Sequence, residues 1–589
     1  MTFRITTLSR SRLAAITLAA AVLSACGGGS SPPPDPLASF KEQKLDWQSC
    51  DSTILGRDVT YFEELGERAK CALMRAPLDY AEPQKGELKV ALLKVAGTDP
   101  AKRSGAILFN PGGPGEDGLE LAPRTAMLWR EAIPESPNGK LMKELETHYD
   151  LIGFSPRGMG ASTTLVCLSN EQMVNENSLT FDRSPANIAA AQHNARLTAK
   201  TCGKNPLTPH INTDATARDM DLLRTILGDE RVNYIGYSYG TWLGAWYASL
   251  FPERVGRMLL DSSMDATATF DDAMIGMQMG RQRLIDQILV SYAARHPQRF
   301  NLGTTPEQVA AAIQPLAPEI KALMVRLMPF YKQYQVERGV WAMMGAVGLH
   351  QLRVQMPDAG FAELDAAIAQ YPFSPTAADN DQARSAAQGI NNALFMPAQP
   401  RSALLEPSAA VYQAVICNDT ATQGDEQYWV EVGNQTVAKY PLLGGGSTSN
   451  PCLHWGNAPV KRPSLTNAGK SNPILLLQSR FDTATPIEGA EATLAALPNA
   501  SMVLIEDDYT HALYPYGDTC ADSSVLEYLA NGKMPARKLT CAGKPLPGEA
   551  EVGGAAASKA IASTYRDPAK AQQIMRSIHD ITRPSGDRF

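Results

Sequence analysis

From Val232 to Gly240 the chain reads VNYIGYSYG. The first half, Val232–Tyr237, is short and almost continuously apolar, the pattern of a strand buried on both faces. The second half is G-x-S-x-G, and Thr241–Phe251 beyond it reads as a helix. A strand, a sharp turn and a helix in that order lift a serine hydroxyl to the end of a sheet, where it can act as a nucleophile. Gly236 and Gly240 suit such a turn because the serine backbone is strained and its neighbours approach closely, leaving no room for Cβ atoms. Gly244, one turn on, lets the helix lie tight on the sheet.

Working outward, Thr213 or Asp214 is placed to cap a helix Ala215–Leu227 that Gly228 ends, and the strand follows directly. A second serine at a strand end, Ser155 in Gly153-Phe154-Ser155-Pro156-Arg157, is rejected as nucleophile. The residue after the nucleophile must give its N–H to the oxyanion, and Pro156 has none whereas Tyr239 does. The other oxyanion donor is expected in Asn110-Pro111-Gly112-Gly113-Pro114-Gly115, right after a strand Ala106–Phe109, with Gly113 preferred and Gly112 next.

The base and acid should follow in the order serine, acid, histidine. Of eight histidines only His511 and His579 lie beyond a strand Ile474–Gln478. His511 sits in a polar loop after the last strand, and His579 lies in a helical tail, so His511 is the base. Asp482, four residues past Gln478, is the acid; Asp265 and Asp261, at the end of the preceding strand, are its rivals. Asp507 and Asp508 read as solvated loop charges.

Further strands are expected at Leu88–Val95, Asp150–Phe154, Met258–Asp261 and Met502–Ile505, alternating with helical stretches. That is an α/β chain, a mainly parallel sheet with helices on both faces. Between Met264 and about Lys470 helical patterns dominate, including Glu319–Gln355 broken at Pro329, with loops near 373–402 and 443–449. This region reads as a large, mostly helical cap inserted into the core. Met324, Met328, Met343, Met344, Trp341, Phe330 and Tyr331 either pack its helices or line a pocket, packing being the commoner use.

Bulk properties narrow the function classes. With 589 residues the chain has room for a core and a large insertion; 44% hydrophobic and 20% charged residues are ordinary for a globular protein. A net charge of −7, with both signs scattered, argues against a nucleic-acid partner. At the N-terminus, Arg4, Arg10 and Arg12 precede an apolar run Leu13–Leu23, too short for a spanning helix, and Leu23-Ser24-Ala25-Cys26 resembles the lipobox of bacterial lipoproteins. The resemblance implies cleavage before Cys26 and lipid on it, with GGGSSPPPD (27–35) as a tether. Eight other cysteines suit an exported chain; their spacing in local couples suggests Cys50–Cys71, Cys167–Cys202, Cys417–Cys452 and Cys520–Cys541. With no Cys-x-x-Cys, neither a metal nor another cofactor is expected.

Taken together, these elements resemble the α/β-hydrolase fold, and within it the tripeptidyl-aminopeptidase-like serine peptidases grouped with proline iminopeptidases. The residues that carry the resemblance are Trp47–Cys50, Cys71 with Ala76-Pro77-Leu78-Asp79-Tyr80, Asn110–Gly115, Asp150–Ser162, Thr213–Thr241, Cys417-Asn418-Asp419 and the Asp482 and His511 loops. The resemblance implies an exported, membrane-tethered enzyme that removes short peptides or single residues from free N-termini through an acyl-enzyme. Such an enzyme needs an anion for the substrate ammonium, and Glu116, Asp117 and Asp419 are the candidates. Glu116-Asp117 after the glycine loop and Arg480-Phe481 before Asp482 depart from the family pattern and bear on pocket polarity. An esterase, or a binding module on the same scaffold, are the alternatives. The expected organisation is a leader over 1–26, a linker over 27–40, core over 41–264, cap over 265–470, core again over 471–543 and a helical extension over 544–589.

Overall fold

The computed structural model describes residues 35–50, 60–396, 401–549 and 554–582. The leader, Cys26 and most of the linker lie outside the described residues.

Among the described residues nine strands form one sheet. In chain order the strands are β1 (Ala69–Pro77), β2 (Glu87–Val95), β3 (Gly105–Asn110), β4 (Tyr149–Phe154), β5 (Cys167–Met173), β6 (Val232–Tyr237), β7 (Val255–Asp261), β8 (Arg401–Leu405), β9 (Ile474–Ser479), β10 (Ala500–Ile505) and β11 (Lys538–Cys541). The sheet runs β1-β2-β4-β3-β6-β7-β9-β10-β11, parallel from β4 to β11, with β2 antiparallel to β4 and β1 antiparallel to β2. β5 and β8 form a separate antiparallel pair.

All six residues of β3, β9 and β10 are buried. Successive side chains alternate between two apolar layers: Leu108, Tyr234, Leu260 and Leu476 join one, and Phe109, Ile235, Leu259 and Leu477 the other. Each fully buried leucine contributes roughly 1.5–3 kcal/mol, so the central strands are pinned in register. That register aligns the site. Asn110 pairs with Gly236, Tyr237 with Asp261, and Asp261 with Leu477, so three neighbouring strands end at one level.

The segment between β7 and β9 is mostly helical and has its own apolar core. Met324, Met328, Met343 and Met344 are buried in it, so they pack helices. Glu319–Gln355 divides at Pro329, into helices Pro318–Arg326 and Val336–Gln355. Two expectations are corrected. The stretch read as loop near 373–402 contains the helix Ala377–Phe395, which buries Ala383, Ala387, Ile390 and Asn391 at helical spacing. The helix before β6 spans Thr213–Ile226 and is capped by Asn212, whose side chain accepts from the Ala215 N–H at 2.8 Å.

The four local cysteine couples form the four disulfides. Cys417–Cys452 closes a 35-residue separation. Replacing both cysteines by serine is expected to lower unfolding free energy by about 2–5 kcal/mol, read as a shift in the denaturant midpoint. No helix among the described residues is long and apolar enough to cross a membrane.

Candidate active site

Ser238 stands between the end of β6 and the helix Tyr239–Leu250, with φ 56° and ψ −123°. A non-glycine residue there costs roughly 1–3 kcal/mol and persists only where its surroundings hold it. The Ser238 N–H donates to the Asp261 carbonyl at 2.9 Å, and the Ser238 carbonyl accepts from the Thr241 N–H at 2.9 Å and the Thr241 hydroxyl at 2.6 Å. A Cβ on Gly236 would sit 2.5 Å from the Gly240 carbonyl oxygen, the close approach expected of these glycines.

His511 lies in the loop after β10. Its Nδ1 is 2.9 Å from Asp482 Oδ2 and 3.0 Å from Oδ1. Asp482 Oδ1 also accepts the Ala484 and Thr485 N–H groups, each at 2.9 Å, which aims the carboxylate. Histidine and aspartate are both 1% exposed, so their pairing is shielded from water. Thr485 Oγ1 lies 3.4 Å from the same Nδ1, a neighbour the sequence reading missed.

The rival acids have other partners. Asp265 accepts from the Thr267 N–H and hydroxyl. The buried Asp261 carboxylate accepts the Leu513 N–H at 3.0 Å and the Tyr514 N–H at 2.6 Å, while the Ser262 hydroxyl accepts the Ala512 N–H at 2.8 Å. Burial pushes the Asp261 carboxyl up to about 7, against the Leu513 and Tyr514 amides that favour its charge. The end of β7 therefore fastens two loops at once: its main chain takes the Ser238 amide, and its side chains take the three amides after His511.

His511 Nε2 is buried and accepts or donates no hydrogen bond among the described residues. The carboxylate half of the expected relay is formed; the hydroxyl half is not hydrogen-bonded in this state. Such bonds commonly tighten only around bound substrate.

The glycine loop after β3 touches the serine turn. Gly112 has φ +104°, and a Cβ on it would sit 2.5 Å from the Tyr237 carbonyl oxygen and 2.8 Å from Ser238 Cβ. Its N–H donates to Asn110 Oδ1 at 3.0 Å, whereas nothing among the described residues accepts the Gly113 N–H. Of the acids considered for an ammonium, buried Glu116 lies beside Gly113. Asp117 accepts from the Ser155 hydroxyl at 2.8 Å and the Leu119 N–H at 3.0 Å. Asp419 ends the helix Pro407–Asp419, accepts from Thr213 N–H, Thr213 hydroxyl and Trp242 Nε1, and is pushed up to about 7 by burial.

Two loop readings are corrected. Asp508 is buried, not solvated, and accepts from the Tyr516 hydroxyl and the Thr510 N–H. His579, read as lying in a helical tail, packs on the His511 loop with Nε2 3.3 Å from the Leu513 carbonyl; burial, with help from Lys332 and Lys544, holds its pKa well below the usual histidine value. Phe330 and Tyr331 reach the site as well, under the Arg281 guanidinium, and the Tyr331 ring centre is 5.8 Å from that of His511. Among the described residues no cluster of metal-ligating side chains is gathered.

A family model described as the alpha/beta hydrolase fold matches residues 105–321, and one described as a TAP-like protein matches residues 440–541. The chain is 26% identical to a tripeptidyl aminopeptidase of Streptomyces lividans, over 85% of this chain and 87% of that one. It is 26% identical to the serine protease Hip1 of Mycobacterium tuberculosis, covering 85% and 91% of the two chains. It is likewise 26% identical to a carboxylesterase B of the same organism, covering 90% and 96%.

Proposed function

We propose that this chain, which belongs to the α/β-hydrolase family and is a serine hydrolase, is an exported peptidase that removes short peptides or single residues from free N-termini. Ser238 is the nucleophile, His511 the base and Asp482 the acid. The observation that carries this reading is the 2.9 Å contact of His511 with Asp482, in loops tied to the same strand end that takes the Ser238 amide. The TAP-like match over 440–541 spans both Asp482 and His511.

In the reaction Ser238 Oγ attacks the scissile carbonyl while His511 Nε2 takes its proton. Asp482 holds Nδ1–H and steadies the imidazolium. The Tyr239 and Gly113 amides receive the oxyanion, each such donor being worth roughly 3 kcal/mol of barrier. His511 then protonates the departing amine, and water enters by the reverse sequence to free the acyl product. Glu116, beside the oxyanion loop, is the residue we assign to the substrate ammonium. Residues 265–470 are read as the cap over this site, and Cys26 as the lipid attachment that tethers the enzyme to a membrane facing the cell exterior or periplasm.

The carboxylesterase relative favours a second reading, the same unit acting on acyl esters. A substrate panel separates them. Free-amine tripeptide anilides are expected to turn over, with kcat/KM lost by about 100-fold or more on N-acetylation, as removal of a buried ion pair would produce. Fast hydrolysis of p-nitrophenyl esters with no anilide cleavage would overturn the peptidase reading.

A further inference from the structure

Four consecutive residues of the helical insertion are stitched to the loops that carry Asp482 and His511. Thr483 Oγ1 donates to the Phe330 carbonyl at 2.6 Å, and the His511 N–H donates to the Tyr331 carbonyl at 3.0 Å. The Lys332 ammonium donates to the His511 carbonyl at 3.1 Å, and the Tyr509 N–H donates to Gln333 Oε1 at 3.2 Å. Both main-chain polar groups of His511 are therefore held by adjacent residues 179 and 180 positions upstream in the chain.

Lys332 is 1% exposed. Withdrawing an ammonium from water carries a desolvation penalty, and a methionine would fill much the same volume without it. A charged donor on a carbonyl is roughly twice as strong as a neutral one, so the bond from Lys332 holds the His511 main chain firmly. Lys332 and Lys544 both lie near enough to His579 to help keep it neutral, and Asp482 pairs with the Nδ1 side of the His511 imidazole.

We infer that Lys332 is a positioning residue for His511, fixing its main chain so that Nε2 is held where the Ser238 proton must go. The inference rests on His511 being the base. It also makes the seating of segment 330–333 a condition for an aligned base, so the insertion and the catalytic unit act together.

The test uses the full-length protein, a fluorophosphonate probe and a free-amine peptide anilide. Lys332→Met is expected to slow the rate constant of labelling and kcat by about 10–100-fold while KM stays within about threefold, since misorienting a base costs transition-state but not ground-state interactions. A labelling rate constant is independent of how much protein is folded, so a variant that merely folds poorly loses amplitude and not rate. Lys332→Met labelling within about twofold of the native rate constant, whatever its amplitude, would overturn the inference. His511→Ala separates the two levels. If it labels at the native rate, the base assignment fails and this inference with it; if it does not label while Lys332→Met labels normally, only the role of Lys332 fails.

Discussion

Ser238→Ala is expected to lower kcat on a peptide anilide by a factor on the order of 10⁶, leaving only the modest acceleration that binding and the oxyanion donors supply. The substitution removes one oxygen from a side chain whose main chain is held independently, by Asp261 on one side and Thr241 on the other. The turn and its positive φ should therefore survive. Unfolding free energy is expected to stay within about 1 kcal/mol of the native value, measured by denaturant titration. Ser155→Ala provides the contrast. Its hydroxyl donates to Asp117, so stability falls and chemistry does not. Loss of turnover in Ser155→Ala with activity retained in Ser238→Ala would reverse the assignment.

The second large effect is at Asp482. Asp482→Asn keeps the shape but presents an amide that can donate to Nδ1, favouring the wrong imidazole tautomer and leaving the imidazolium unsupported. A loss of about 10⁴ in kcat is expected, with KM little changed. Asp265→Asn is the control, because the Asp265 carboxylate accepts from the N–H and hydroxyl of Thr267 in its own turn; activity within about twofold of native is expected there. The reverse pattern, measured as kcat at saturating substrate, would move the acid from β9 to the loop after β7.

Much of this was readable in the sequence because burial on both faces leaves a plain trace. β3, β6, β9 and β10 are almost continuously apolar and were located to within a few residues. β1 escaped because it is an antiparallel strand near the sheet's edge, with Lys70 and Arg75 among its residues, and β11 because four residues at the other edge carry too little pattern. The helix Ala377–Phe395 was mistaken for loop because Asn, Asp and Ala dominate it, although Ala383, Ala387 and Ile390 keep a helical period.

The same division holds at the site. Ser238, Asp482 and His511 were legible because each lies within a few residues of a strand end, and strand ends can be counted. What holds them was not. Asp261 entered only as a rival acid, and its bonds to Leu513 and Tyr514 depend on loops more than 250 residues away. Lys332 sits in an insertion whose sequence says helix and loop, and nothing in it indicates that four residues dock on the histidine. The partners of Asp419 were hidden for a related reason: the motif beside Cys417 marks the acid, but only the fold shows that it faces Thr213 and Trp242.

Activation of this one serine by an imidazole can be read by mass spectrometry after fluorophosphonate treatment of the folded protein. A single adduct is expected on the peptide containing Ser238, and none after His511→Ala. No adduct in the native protein, or an adduct on Ser155 or any other serine, would contradict it.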